Sequence, residues 1–538
     1  MPGARRGRTI AGAEPPERRG RLARATAFFS FATGLSRVAG LVREVVAAAV
    51  FALSASMDAF TAAFQVPNLI RALFADAALQ GAFVPVFTEL LERGERREAF
   101  RVASSLFTLL CVALGALTLL FIVFAPAVMA LVVPGFEQQS SGLAVGLARL
   151  MFPIVLLLAL SGLFVGMLNS FGHFGAPALA PLAWNGVIIA SLLLLAPLLD
   201  PADRIYAYAI GVVAGTVVQL VLPLPWLRGR GGGFTLSFEW RNPHVKQVLK
   251  LMLPVTIALG LINFSLLINS FFGSLVQQGA VAAIDKAFRI YMLPQGLFSV
   301  AVATILFPAL SRFAARGALA DLRATMANGV RQILMLLIPS AAIMAVLAEP
   351  ITRLVYEHGA FGARDTALVA DAMFWWAFSL PFQGVSLLLS RTFFSLQRTW
   401  ATTVLAGLNL LVNVVVAALL YRPFGVAGIV IGTVAGTVGM TVAQALALRR
   451  DLGGVEGIAT ISAAARMLLA AAALGAVSYG LWSALDAALG RSLFAQVASV
   501  GGAIAAGLAV YALAVSILRV AEARQIRELL VSRVRGGR

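Results

Sequence analysis

Between Gly34 and Leu90 the chain is apolar enough to cross a bilayer, yet it carries Arg37, Arg43, Glu44, Asp58, Arg71 and Asp76. A guanidinium is planar, permanently charged and able to give two parallel hydrogen bonds to a phosphate or carboxylate. Placing one near the middle of a bilayer costs about 3 kcal/mol even on the most forgiving insertion scale. Three in neighbouring spans therefore imply a compensating anion. Catalysis would need carboxylates clustered at one interface, and none stand there, so the chemistry is that of an anion site and not of an enzyme. The three histidines, His173, His244 and His358, scatter over loops, and the single cysteine, Cys111, lies in an apolar run. Neither a metal spacing nor a disulfide framework follows from them. The glycine-rich RGRGGGFTLSFEW at 228–240 lacks the preceding strand, the following helix and the lysine of a phosphate loop, and reads as a linker.

Depth follows from a helix rise of about 1.5 Å per residue. A first span entered near Thr26 puts Arg37 about 16 Å into a core roughly 30 Å thick, with Arg43 about 9 Å beyond. A second span entered from the other face near Met57 puts Arg71 about 21 Å deep, and an eighth entered near Ala280 puts Arg289 about 14 Å deep. Arg37, Arg71 and Arg289 thus converge on one level. Asp58 and Asp285 are expected nearer the outer face and Asp76 nearer the inner. On that reading the arginines lack carboxylates at their own depth and must face water or an anion. Gly34, Gly40, Pro67, Pro294 and Gly296 flank them and let the helices bend around a cavity.

The elements that must position these groups are membrane helices. Of 538 residues 60% are hydrophobic and 12% charged, against roughly 25% charged in soluble domains. Windows of about 20 apolar residues recur fourteen times, and an even number puts both termini on one side. Arg93, Arg96, Arg97 and Arg101, then Arg228, Arg230, Arg241 and Lys246, then Arg312, Arg316 and Arg323 fall in one set of loops, later joined by Arg398, Arg449 and Arg450. The alternate set holds only Arg204, Arg353, Arg364, Arg422 and Arg491. The positive-inside rule makes the first set, and both termini, cytoplasmic. The net charge of +18 is thereby explained by topology and anionic headgroups. The arginine-rich first residues have no interleaved aromatics and exclude nucleic acid as the partner. No signal peptide is evident, and no inserted soluble domain is present to hold a sugar donor.

The expected organisation is a basic cytoplasmic arm at 1–25, a six-span lobe at 26–226, a linker at 227–246, a second six-span lobe at 247–448, two further spans at 449–520 and a basic tail at 521–538. VPNLIRALF followed by AFVPVFTEL is echoed by LPQGLFSVA followed by ILFPALSRF, as parallel repeats would be. The fold class is an all-α polytopic membrane protein of 14 transmembrane helices, two six-helix lobes around a central cationic cavity plus two C-terminal helices.

SRVAGLVRE, MDAF and FQVPNLIRALFADAALQGAFVPVFTE, supported by FRIYMLPQGLFSVAVATILFPALSR and YEHGAFGARDT, resemble the MurJ (MviN) lipid II flippase family of the multidrug, oligosaccharidyl-lipid and polysaccharide exporter superfamily. The resemblance spans residues 26–448, with two more spans as in that family. It implies that undecaprenyl-diphosphate-linked peptidoglycan precursor (lipid II) is flipped from the inner to the outer leaflet of the bacterial cytoplasmic membrane by alternating access, without covalent chemistry or cofactor. It implies diphosphate binding by Arg37, Arg43, Arg71 and Arg289, with Ser36, Glu44, Asp58, Pro67 and Asn68 supporting or gating. Glu44 stands where the family carries Asp and keeps the charge. Lipid II, anionic membrane lipids and other cell-wall synthesis proteins are the implied partners, and the last two spans are implied to line a groove for the lipid tail. Some members hold sodium between an Asn and an Asp one helical turn apart. Here the pair is Asn409 and Asn413, so the carboxylate is missing and two interhelical amides are expected. Export of another lipid-linked oligosaccharide or of small molecules is the alternative, although a cavity for cationic drugs would hold carboxylates.

Overall fold

The computed structural model describes residues 16–74, 77–173, 175–229 and 237–523, and among them every regular element is a helix. Helices are what a chain this apolar must form, because lipid offers no partner to an unpaired backbone N–H or C=O. In order they are α1 (Pro16–Phe51), α2 (Ala55–Phe74), α3 (Ala77–Glu92), α4 (Arg96–Val132), α5 (Gln138–Met151), α6 (Ile154–Ser170), α7 (Gly175–Leu194), α8 (Arg204–Val221) and α9 (Leu224–Leu227). Then come α10 (Pro243–Ser274), α11 (Ala280–Pro294), α12 (Val300–Ala315), α13 (Leu319–Val346), α14 (Ala348–Tyr356), α15 (Ala363–Ser395), α16 (Thr399–Asp451), α17 (Gly457–Leu489) and α18 (Leu493–Ile517).

Two bends matter for the site. Between α11 and α12 the chain makes a π-helical turn, Gln295–Ser299, directly after Pro294. Proline removes a ladder hydrogen bond and pushes the preceding carbonyl aside, so the break falls where the sequence places Pro294 and Gly296. Within α16 the hydrogen-bonded run folds back at Gly425, whose φ of 57° and ψ of −130° are non-helical. A Cβ on Gly432 would stand 2.8 Å from the Ala417 nitrogen, and one on Gly436 2.6 Å from the Asn409 carbonyl oxygen. Glycines spaced by four on the second half thus let its backbone lie directly on the first.

Ten stretches among the described residues are long and apolar enough to cross a membrane, the doubled Trp400–Asp451 being one of them. Neither α1, with Arg37, Arg43 and Glu44, nor α2, with Asp58 and Arg71, is among the ten. Helix α10 packs against α2, α3 and α4 as well as against α16 and α11. One cluster of buried apolar residues runs from Ala47 to Leu452, with Phe83, Phe87, Phe152, Tyr356 and Phe393 fully enclosed. A smaller one, of Ile338, Met467, Leu474, Tyr511 and Val515, fastens α17 and α18 to α13.

Two arginines fix the ends of that helix pair. Arg331 of α13 donates to Glu522 at 2.6 Å and to Glu456 at 3.0 Å. Arg353 of α14, which the sequence places in an exposed loop, is only 5% exposed, pairs with Asp486 of α17 and lies 5.8 Å over the Trp482 ring. Removing one member of a buried pair strands the other charge and costs about 3–5 kcal/mol. Arg353→Ala is therefore expected to lower the midpoint of thermal unfolding and the yield of folded protein, with transport per folded molecule retained. The double change Arg353→Met with Asp486→Leu should recover the yield. Wild-type yield from Arg353→Ala alone would show the pair to be dispensable.

Candidate functional site

Asp58 stands in the first turn of α2 and is 2% exposed. Its carboxylate accepts the N–H groups of Gly279 at 2.5 Å and Ala282 at 2.8 Å. Those are first-turn donors of α11, which have no partner inside their own helix, and the positive end of the helix favours an anion there. Gly279 is left-handed, with φ 88°, and a Cβ on it would come 2.9 Å from the Leu53 carbonyl oxygen. Nearby, Ala360 N–H donates to the Ala49 carbonyl at 2.8 Å, and a Cβ on left-handed Gly359 would lie 2.5 Å from that same oxygen. The turn from α1 to α2 is thus stitched, largely through backbone, to the start of α11 and the segment after α14. This is a closed seam between the first and second halves of the chain.

A layer of charge lies one level further in. Glu44 of α1 receives Arg43 Nη2 at 2.6 Å and Arg289 Nε at 3.2 Å, while Arg289 also holds Asp285 at 2.9 Å. Arg43 turns away into its own half, where Nη1 donates to Asn185 Oδ1 at 2.9 Å and the guanidinium sits 4.8 Å over the Trp184 ring. The expectation that Arg289 lacks a carboxylate at its depth is overturned. Asp285 is four residues earlier on α11, where side chains share one face, and the long arginine side chain covers the axial offset of about 6 Å. Glu44 reaches it from α1. Glu44, Asp285 and Arg289, with Thr61, Gln65 and Asn68, line a cavity of about 40 Å³, which has room for a few water molecules and none for a diphosphate.

Beyond that layer stand Arg37 and Arg71. Arg37 is exposed and makes no hydrogen bond or ion pair among the described residues. Its Nη1 lies 3.8 Å from where a Cβ on Gly296 would be, beside the π-helical turn. Arg71 gives Nε and Nη2 to Asn68 Oδ1 at 3.1 and 2.9 Å, so Asn68 orients it from one turn back. The Ser36 carbonyl accepts from Asn185 Nδ2 at 3.4 Å, and Pro67 is buried within α2. Asp76 lies outside the described residues. The arrangement therefore sorts the four arginines. Arg43 is committed to structure, Arg289 is neutralised by carboxylates yet 35% exposed at its side chain, Arg71 is held by Asn68, and Arg37 is left to meet an anion.

The amide pair behaves otherwise. Asn413 is fully buried, and Thr433 donates to Asn269 Oδ1 at 3.2 Å with Asn413 Oδ1 3.5 Å away. Nδ2 of Asn269 and of Asn413 lacks an acceptor among the described residues. The cluster is neutral and short of acceptors, whereas sodium needs oxygen acceptors and counter-charge. These residues do not fit that ion.

Sequence reasoning passed over three groups. Asn185 and Trp184 are adjacent polar-edged residues in the middle of an apolar span, a signal that a neighbouring helix holds a charge. Lys286 is an embedded charge of the same kind as the arginines, one residue after Asp285.

The family model described as "Lipid II flippase MurJ" matches residues 47–524. A protein of Rhizobium meliloti (strain 1021) described as "Probable lipid II flippase MurJ" is 32% identical over 486 residues, 88% of this chain and 90% of that one. "Lipid II flippase MurJ" of Burkholderia cenocepacia is 35% identical over 347 residues, 63% of this chain and 67% of that one. The solved structure "Lipid II flippase MurJ, inward closed conformation" superimposes with a TM-score of 0.74 at 25% identity, covering 91% of this chain and 98% of that one. An inward-facing multidrug resistance MATE family transporter of the MOP superfamily has a TM-score of 0.66 at 16% identity, covering 78% and 96%, a likeness of fold alone.

Proposed function

The chain belongs to the lipid II flippase MurJ family and flips lipid II, and from that premise we propose that Arg37 and Arg71 take the diphosphate while the Asp58 seam closes the outer end of the cavity. It is a multi-pass protein of the inner membrane, and we read its helices as fourteen crossings with both termini cytoplasmic. The carrying observation is the contrast among the arginines. Arg43 and Arg289 have carboxylates within 3.2 Å, whereas Arg37 is exposed and has no partner among the described residues. A permanent cation in that position needs an anion or water. A diphosphate satisfies it, and the two-pronged guanidinium geometry suits phosphate oxygens.

We read the seam as facing outward because the chain runs from it through α2 and then α3 to the arginine-rich 93–101 segment, which the positive-inside rule keeps cytoplasmic. Likeness to a structure titled inward closed supports that assignment. Transport then requires the two halves to rock apart at the seam. Asp58 must leave the start of α11, and Glu44 must leave Arg289. An arriving diphosphate competes with Glu44 for Arg289, so substrate itself helps to loosen the link between halves. No covalent step is involved.

Depletion in living cells tests the reading. Lipid II is expected to accumulate in the inner leaflet, and its outward appearance should return when the chain is restored. An unchanged leaflet distribution on depletion would overturn it.

A further inference from the structure

Of the 42 lysines and arginines only three are lysines, Lys246, Lys250 and Lys286. The first two are exposed in the opening turns of α10. Lys286 lies within α11 and is 0% exposed, and its Nζ has no hydrogen-bond partner among the described residues. The chain uses arginine almost everywhere, yet puts in its most enclosed basic position the one basic side chain that can give up its proton. A guanidinium stays charged in any protein, while an ammonium becomes a neutral amine when stripped of water.

The surroundings leave a positive charge there without a hydrogen-bond acceptor among the described residues. The charged groups acting on the amine are Glu44 and Arg43 from α1 and Asp285 and Arg289 from its own helix. Those four form a closed set of two cations and two anions, paired at 2.6 to 3.2 Å. From α2, Asp58 is consumed by backbone N–H groups at the start of α11. Helix α15 faces α11 with Trp376 and with Ser379, which donates to Tyr291. Helix α14 offers Tyr356, whose hydroxyl is turned to the Lys286 carbonyl at 3.3 Å and whose ring lies 5.2 Å from Nζ. A protonated Lys286 would thus be a fifth charge with no acceptor, in a layer already balanced. Burying an ammonium without a hydrogen-bonded partner is strongly unfavourable.

We propose that Lys286 is a proton-binding site tied to the seam, neutral while Asp58 and Glu44 close the two halves together and protonated once they part and water reaches the amine. The inference rests on the seam assignment made above. Opening then takes up one proton from the outer side, and closing returns it. The sign follows directly. The open form binds the extra proton, so outside acid favours opening, by up to about tenfold per pH unit in the range where the open form is protonated and the closed form is not.

The test needs no lipid II, so its failure is distinct from failure of the flippase reading. Lys246→Arg and Lys250→Arg leave Lys286 as the sole lysine, which can be observed by NMR with 13C at Cε in nanodiscs. A cysteine pair at Ala49 and Ala360, with Cys111→Ser, locks the seam on oxidation. The locked protein is expected to show a neutral amine across pH 6 to 8, and the reduced protein one that titrates. A protonated signal in the locked protein at pH 7, held by the Tyr356 ring, would overturn the proposal. In a second arm, thiol labelling at Ser56→Cys in a Cys111→Ser background follows opening against outside pH. Lys286→Met should abolish that pH response, and an unchanged response in folded Lys286→Met would also overturn it.

Discussion

Arg37→Ala abolishes lipid II flipping per folded molecule, by a hundredfold or more, while insertion and abundance stay at or above those of the parent. Deleting a costly embedded cation that has no partner among the described residues removes no ion pair seen there and eases insertion by about 3 kcal/mol. What it removes is a charge-assisted contact to phosphate, and loss of a charged hydrogen-bonded partner costs about 2–5 kcal/mol in desolvated sites. Arg71→Ala should lower flipping likewise, since Asn68 holds the Arg71 guanidinium from one turn back in the same helix. Lysine at either position should restore only part of the rate, because a point charge cannot make the planar two-bond contact. Arg43→Ala is the contrasting case. It takes from Glu44, 3% exposed, the nearer of its two arginine partners and empties the space beside Asn185 and Trp184. Its loss should therefore be read in folded protein. Arg398→Ala is the control, because its pair with Asp451 at 2.6 Å is exposed on the arginine side and such pairs contribute about 0–1 kcal/mol. Flipping assayed in proteoliposomes, with folded protein quantified separately, decides the matter. Normal flipping by Arg37→Ala and Arg71→Ala would remove the anion site from this cavity.

Much of this architecture could be read directly from the chain. Embedded arginines at repeated depths announced the cavity, and Pro294 with Gly296 announced the bend now seen as a π-helical turn. Depth arithmetic failed where side-chain reach mattered. It assigned Asp285 and Arg289 to different levels, although on a helix four residues apart means one face, and they meet at 2.9 Å. It also could not separate Arg43 from Arg37, six residues earlier on the same helix. The difference comes from Asn185 and Trp184 on α7, a partner 142 residues away in sequence. Arg353 looked like a loop charge because its carboxylate, Asp486, lies on a helix that begins a hundred residues later. Local pattern sets which residues are embedded, whereas long-range packing sets which embedded charges are already satisfied.

Asp58→Ala is expected to unseal the outer end. Its two acceptor oxygens satisfy Gly279 and Ala282 N–H groups that no other described acceptor serves. Each buried donor left without a partner costs about 1–3 kcal/mol, and the lost carboxylate at the helix start adds about 0.3–1 kcal/mol. Every 1.4 kcal/mol is a factor of ten in an equilibrium, so with two donors stranded the closed-to-open ratio at the seam should fall by about 50- to 100,000-fold. Loss of closure breaks the alternation on which flipping depends, so turnover falls although Arg37 and Arg71 are untouched. Asp58→Asn should lie between, since its amide oxygen can still accept one N–H while its amide nitrogen opposes the other. The readout is the rate at which an impermeant thiol reagent labels Ser56→Cys in a Cys111→Ser background, compared with oxidation of the Ala49→Cys, Ala360→Cys pair. Labelling should rise and cross-linking fall in the order parent, Asp58→Asn, Asp58→Ala. Because neither substitution removes a partner of the backbone bond from Ala360 to Ala49, a fall in cross-linking reports motion of the whole seam and not the loss of one contact. An unaltered closed fraction in Asp58→Ala would mean that glycine-mediated backbone contact alone holds the halves together.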